Sequence, residues 1–178
     1  MTKQTLLVLI LIMSAGCSFR PVLPHNGDGK FTNTTQVAPL VRIPGYAVRF
    51  EPFDLSRDYS KSYSVDSLPA LKNDAFVELH LNDFDKFKWE EMINASTARL
   101  SVSIANTDGD QLLRFNTSLS KMIWGRDGAD DVVYGYDITN GRFQPAPGDK
   151  LQITLNYTGD KSLGGNTGLL ELDCGGSL

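Results

Sequence analysis

Residues 98–119 read Ala-Arg-Leu-Ser-Val-Ser-Ile-Ala-Asn-Thr-Asp-Gly-Asp-Gln-Leu-Leu-Arg-Phe-Asn-Thr-Ser-Leu. Leu100, Val102 and Ile104 alternate with Ser101 and Ser103, the period of a strand with one buried face. The Asp108-Gly109 pair suits a two-residue hairpin turn, whose two central residues both take positive φ. Centred there, the turn sets Ile104 opposite Leu113 and Val102 opposite Phe115, all core positions by alternation. Turn chemistry and binary pattern agree on one register, so an antiparallel hairpin is expected.

The same period extends in both directions. Strands are expected over Tyr46–Glu51, Tyr59–Val65, Ala75–Leu81, Ala98–Ala105, Leu112–Leu119, Asp131–Ile138, Lys150–Tyr157 and Gly168–Cys174. About eight strands at this spacing predict an all-β fold, a single antiparallel β-sandwich. On the sixth strand Val132, Tyr134, Tyr136 and Ile138 share one face, which reads as core. One stretch breaks the pattern. Asp83 to Asn94 carries Phe84, Phe87, Trp89, Met92 and Ile93 with charges between, and predicts a short helix in a crossover, with Asp83 placed to cap it. Phe84, Phe87 and Glu91 fall on one face of that helix, Trp89 and Ile93 on another.

Pro145-Ala146-Pro147-Gly148-Asp149 leads into Leu151, Ile153, Leu155 and Tyr157. This proline-glycine turn with clean alternation after it resembles the turn before a late strand in immunoglobulin-like and transthyretin-like sandwiches. The resemblance spans about thirteen residues and implies architecture, not activity.

Upstream of the strands, residues 17–44 hold Pro21, Pro24, Pro39 and Pro44, Gly27 and Gly29, and no hydrophobic period. They read as a flexible tether of about 25 residues reaching roughly 80 Å when extended. Val37 to Ile43 is the part suited to dock as an edge strand. The domain proper is then residues 45–178.

Residues 1–16 explain what is tethered. Lys3 precedes an unbroken apolar run from Leu6 to Met13, followed by Ser14-Ala15-Gly16-Cys17. This is the layout of a secretory signal peptide, too short for the about 20 apolar residues of a membrane-spanning helix. Ser14-Ala15-Gly16-Cys17 resembles the lipobox of bacterial lipoproteins, with Ser14 where leucine is commoner. The resemblance implies cleavage before Cys17 and acylation of that cysteine, palmitate included, giving stable attachment to a lipid bilayer. Ser18 in place of aspartate after the cysteine implies the outer membrane, facing the periplasm. Soluble periplasmic export is the alternative.

Cleavage leaves residues 17–178 and removes one charge, Lys3, so the formal net charge of −4 becomes one unit more negative. No basic face is present to displace counterions, which disfavours nucleic acid as a partner. With Cys17 acylated, Cys174 has no disulfide partner in the chain. It follows Leu170 and Leu172 at alternate positions and reads as a small core residue.

The parts of a catalytic set are few. His25 lies in the tether, and His80 alternates with Phe76 and Glu78 opposite Val77, Leu79 and Leu81, a solvent-facing placement. No Gly-x-Ser-x-Gly elbow, His-Glu-x-x-His helix or Cys-x-x-Cys pair occurs. No catalytic residue and no cofactor is therefore expected, and the chain reads as not an enzyme. Asn106, Asp108 and Asp110 form one acidic turn; Asp127, Asp130 and Asp131 form the better candidate metal set, for calcium. Trp124, Arg126 and Asp127, at a glycine-flanked loop, are the candidate binding residues, although the core reading of Trp124 outweighs the binding one. Tyr59 and Tyr63 could add an aromatic patch.

The expectation is a cell-envelope lipoprotein whose sandwich is a non-catalytic binding or assembly module for a protein or envelope polymer. A periplasmic immunity-type inhibitor of a toxin is the second reading, and a loop-borne hydrolase or calcium-dependent lectin the third.

Overall fold

The computed structural model describes residues 26–33, 36–38, 41–43, 45–66, 75–81, 86–127, 132–137, 139–146 and 148–174. Within them the chain is an antiparallel β-sandwich with one α-helix, as the alternation predicts. All eight expected strands form: β5 (Tyr46–Arg49), β7 (Tyr59–Asp66), β8 (Ala75–Leu81), β9 (Arg99–Asn106), β10 (Gln111–Ser118), β12 (Val132–Tyr136), β14 (Leu151–Thr158) and β15 (Thr167–Cys174). Shorter strands join them: β1 (Asn26–Gly27), β2 (Lys30–Asn33), β6 (Phe53–Asp54), β11 (Ile123–Asp127) and β13 (Arg142–Phe143). β3 (Gln36–Ala38) and β4 (Val41–Ile43) pair only with each other.

One sheet runs β1-β7-β14-β9-β10; the other runs β11-β12-β8-β15-β5-β2, with β13 also on β8 and β6 also on β15. Leu100, Val102 and Ile104 of β9 and Leu151, Ile153 and Leu155 of β14 are fully buried in one apolar cluster. Val77, Leu79 and Leu81 of β8, Leu170 and Leu172 of β15 and Val48 of β5 complete it from the other sheet. Each such side chain contributes about 1.5–3 kcal/mol by leaving water, so this interior dominates the stability. The helix α1 (Lys86–Ala95) joins the core through Trp89 and Ile93, one turn apart and both buried.

The Asp108-Gly109 hairpin has the expected register by an unexpected route. Ile104 pairs with Leu113 and Val102 with Phe115, as anticipated. Yet the turn is not the two-residue type: Gly109 N–H donates to Asn106 O at 3.1 Å and Asn106 N–H to Asp110 O at 3.0 Å. The loop is therefore three residues long, with Gly109 at φ 88°. A bulge between Gln111 and Leu113 shifts the pairing by one and offsets the additional loop residue. Core alternation on both strands dictates the distant register, and the turn adapts to it.

Two further expectations change. Tyr134 and Tyr136 pair with His80 and Glu78, whereas Val133 and Gly135 pair with the core residues Leu81 and Leu79. Gly135 is thus an inward position of β12, and Tyr136, beside Glu78, an outward one. A side chain at Gly135 would meet the Trp124 ring, its Cβ lying 2.6 Å from ring carbons, so the indole occupies the space the glycine leaves. The second change concerns the tether. Its residues 26–33 are strands: β1 pairs with β7 in one sheet and β2 with β5 in the other. Asp28 fastens the crossing between them, its N–H donating to Ser64 O at 2.7 Å while its carboxylate accepts from Ser64 N–H at 2.8 Å. Gly27 is required there, since its φ is +118° and a Cβ would lie 2.4 Å from Ser64 O. Val37 to Ile43 contributes the β3–β4 pair and not an edge strand of either large sheet.

The opposite side of the sandwich is also bridged by the chain. The 3₁₀ turn Leu119–Lys121 carries β10 of one sheet into β11 of the other. Leu119 N–H bonds Ala98 O at 3.0 Å, and Leu119 O accepts from the Trp124 indole at 3.1 Å.

Candidate functional site

β8 and β15 lie in the interior of their sheet, each paired on both sides. Their inward residues supply the core; their outward residues are usually solvated. Here the outward face carries polar groups that are buried instead: His80 is 3% exposed and Glu171 4%. The register lines up one row across six strands, Lys30, Arg49, Glu171, Glu78, Tyr136 and Ile123. Glu171 and Glu78 are direct cross-strand partners, an arrangement that repulsion disfavours unless cationic groups intervene.

Two groups do so. Arg49 donates its Nε–H to Glu171 Oε2 from the neighbouring strand. His80, two residues from Glu78, sets its Nε2 at 3.0 Å from Glu78 Oε2 and 3.6 Å from Glu171 Oε1. The first separation is a hydrogen bond; the second is an electrostatic contact beyond hydrogen-bond range. One nitrogen thus stands between two carboxylates, and the three atoms lie within 4.8 Å of one another. Removing carboxylates from water costs several kcal/mol each, so the cluster persists through these contacts. Its geometry suits a cation held by Glu78, His80 and Glu171.

Nearby on the same face, Phe76 and Tyr136 meet edge to face at 6.4 Å, and the Arg142 guanidinium stands 5.1 Å from the Phe76 ring centre. The aromatic wall and the ion cluster share β8, which makes this the most chemically structured surface among the described residues.

The solvent-facing placement of His80 is therefore corrected. It does point away from the core, but the face it points to is occluded. Glu171 was not anticipated at all. The signal lay in Leu170-Glu171-Leu172, an acid between two core leucines on the alternation of Glu78-Leu79-His80, but nothing local links positions so far apart in the chain.

The residues anticipated from the sequence are placed as follows. Trp124 is half-buried against the core, on the side of Gly135. Arg126 and Asp127 end β11, pairing with Val133 and Val132. Asp130 and Asp131 lie outside the described residues, as do Cys17 and the segment before it. Asn106 and Asp110 fasten the hairpin turn, with Asp110 N–H donating to Asn106 Oδ1 at 2.8 Å.

Tyr63 is buried, and Tyr59 joins it by a 3.0 Å hydroxyl contact while donating to Glu51 at 2.7 Å. Burial, then these hydrogen bonds, raises the Tyr59 pKa. Cys174 is buried beside Tyr46, and burial pushes its thiol up to about 12, which leaves it protonated and unreactive at neutral pH.

The chain matches no known protein-family profile and no curated protein. Among the described residues, no helix is long and apolar enough to cross a membrane.

Proposed function

We propose that this chain is a lipid-anchored protein of the bacterial envelope, held by acylated Cys17 at the outer membrane and facing the periplasm. Its sandwich serves as a non-catalytic module that binds an envelope protein or polymer. The lysine, apolar run and Ser14-Ala15-Gly16-Cys17 exit support the anchor. The observation that carries the reading furthest is how near the described fold comes to Cys17. The first strand among the described residues starts at Asn26, nine residues after Cys17, and nine residues span at most about 30 Å. The domain is then held against the bilayer surface, where recognition of a neighbouring envelope component requires no long reach. Two carboxylates at element ends bond the fold itself: Asp54 accepts from Ser56 N–H at 2.8 Å, and Asp160 from Thr97 and Ser162.

Metabolic labelling with an alkyne palmitate, followed by crosslinking in intact cells, tests both halves. The expected result is label that disappears in Cys17→Ala, together with a recurrent crosslinked envelope partner. An unmodified Cys17 thiol in the native protein overturns the anchor. Turnover of an envelope substrate by the purified chain, with no partner recovered, overturns the binding module.

A further inference from the structure

We propose that Glu78, His80 and Glu171 form a binding site for a divalent transition-metal ion of the zinc class. The inference stands apart from the anchor, since it depends only on the outward face of β8 and β15.

The argument is geometric. Zinc is held by imidazole nitrogen and carboxylate oxygen at about 2.0–2.2 Å, usually in a tetrahedron, so adjacent ligand atoms stand about 3.3–3.5 Å apart. The separations of His80 Nε2 from Glu78 Oε2 and Glu171 Oε1, 3.0 and 3.6 Å, bracket that edge length. All three ligand atoms already lie within 4.8 Å of one another. Small side-chain adjustments suffice to admit an ion, and the backbone need not move.

The framework independently favours such a site. Its ligands come from two interior strands, each fixed on both sides by a neighbour, so their Cα positions are pre-organised. Two carboxylates are direct cross-strand partners in a buried setting, where a divalent cation relieves repulsion that the single Arg49 only half offsets. Arg49 binds Oε2 of Glu171 and leaves Oε1 turned toward His80. That is the way a metal-binding carboxylate is commonly oriented, by a hydrogen bond to its other oxygen. An imidazole with two carboxylates selects zinc and its transition-metal neighbours over calcium, which prefers six to eight oxygens. Three protein ligands leave a fourth position for water or for a donor from a partner.

The test uses the full chain in detergent, stripped with chelator and titrated calorimetrically with zinc chloride, with cobalt(II) as a spectroscopic substitute. The expected result is saturable binding of one ion per chain, weakened at least tenfold in both His80→Gln and Glu171→Gln and unchanged in Asp127→Asn. Cobalt should give visible bands without the thiolate charge-transfer absorption of cysteine ligation. The stripped wild-type chain alone settles the case if a variant fails to fold: no saturable uptake and no rise in unfolding temperature with zinc overturns the proposal. Uptake unaffected by either substitution, or cobalt spectra showing thiolate, also overturns it.

Discussion

Asp160 shows how much one side chain can hold together. One carboxylate oxygen accepts from Thr97 N–H at 2.7 Å and Thr97 Oγ1 at 2.9 Å; the other accepts from Ser162 N–H at 2.9 Å and Ser162 Oγ at 2.7 Å. The backbone bond from Thr97, then those from Ser162, holds this carboxyl well below the usual carboxylate range. Its folded-state pKa is thus lower than the unfolded value of 3.8. The stability it contributes is complete above pH 3.8 and is lost as the pH falls toward the native value. Asp160→Asn should lower stability by about 1–2 kcal/mol near neutrality. Urea unfolding across a pH series should show the gap between wild type and variant closing below pH 3.8. A gap constant through the acid range would refute the assignment. Gly135 makes the complementary point. A residue with no side chain decides which face of β12 is inward, because the Trp124 ring needs its space. Hydropathy alternation gives a glycine no weight, and the flanking tyrosines therefore resembled core.

At the level of elements, the hairpin of β9 and β10 separates what is fixed from what adapts. Gly109 has open space around its missing Cβ, so only its backbone conformation excludes other residues. Gly109→Ala should therefore cost about 1–2 kcal/mol, the strain of a left-handed residue. The chemical-denaturation midpoint should fall with an unchanged m-value. A wholly neutral substitution would show that the turn relaxes to another type. Strand positions and the register of this hairpin were legible in the sequence because buried side chains recur every second residue, a signal spread over many positions. The turn type was not, since Asp-Gly serves two-residue and three-residue loops alike and the bulge at Gln111 leaves no hydropathic trace. The two-residue strands β1, β6 and β13 are too short for any period to register. The ion cluster was half legible. Glu78 and His80 stood out as a polar pair on β8, but the strand order that brings Glu171 beside them is a property of the sheet and not of either segment.

At the scale of the whole molecule, the chain crosses between sheets on both sides, through Asp28-Gly29 at one and Leu119–Lys121 at the other. In the lipid-anchored arrangement proposed above, the first described strand follows Cys17 by nine residues. Separation of domain from bilayer is then independent of domain stability. With Cys17 acylated, twelve Gly/Ser residues inserted between Phe19 and Asn26 should add roughly 9 Å of mean reach. The unfolding temperature should stay put while crosslinking between headgroup-reactive lipids and Lys30 declines. Equal crosslinking in both proteins would mean that surface contact, and not chain length, sets the spacing.

The double attachment of residues 26–33 also decides how the protein meets mechanical load. Tension applied at Cys17 arrives first at β1, two residues long, and next at β2, each the outermost strand of its sheet. Such edge pairs unzip singly, and the twenty residues 26–45 pay out before the tug reaches β5 and the interior. A chain anchored at Cys17, as proposed, would carry its own shock absorber at that end.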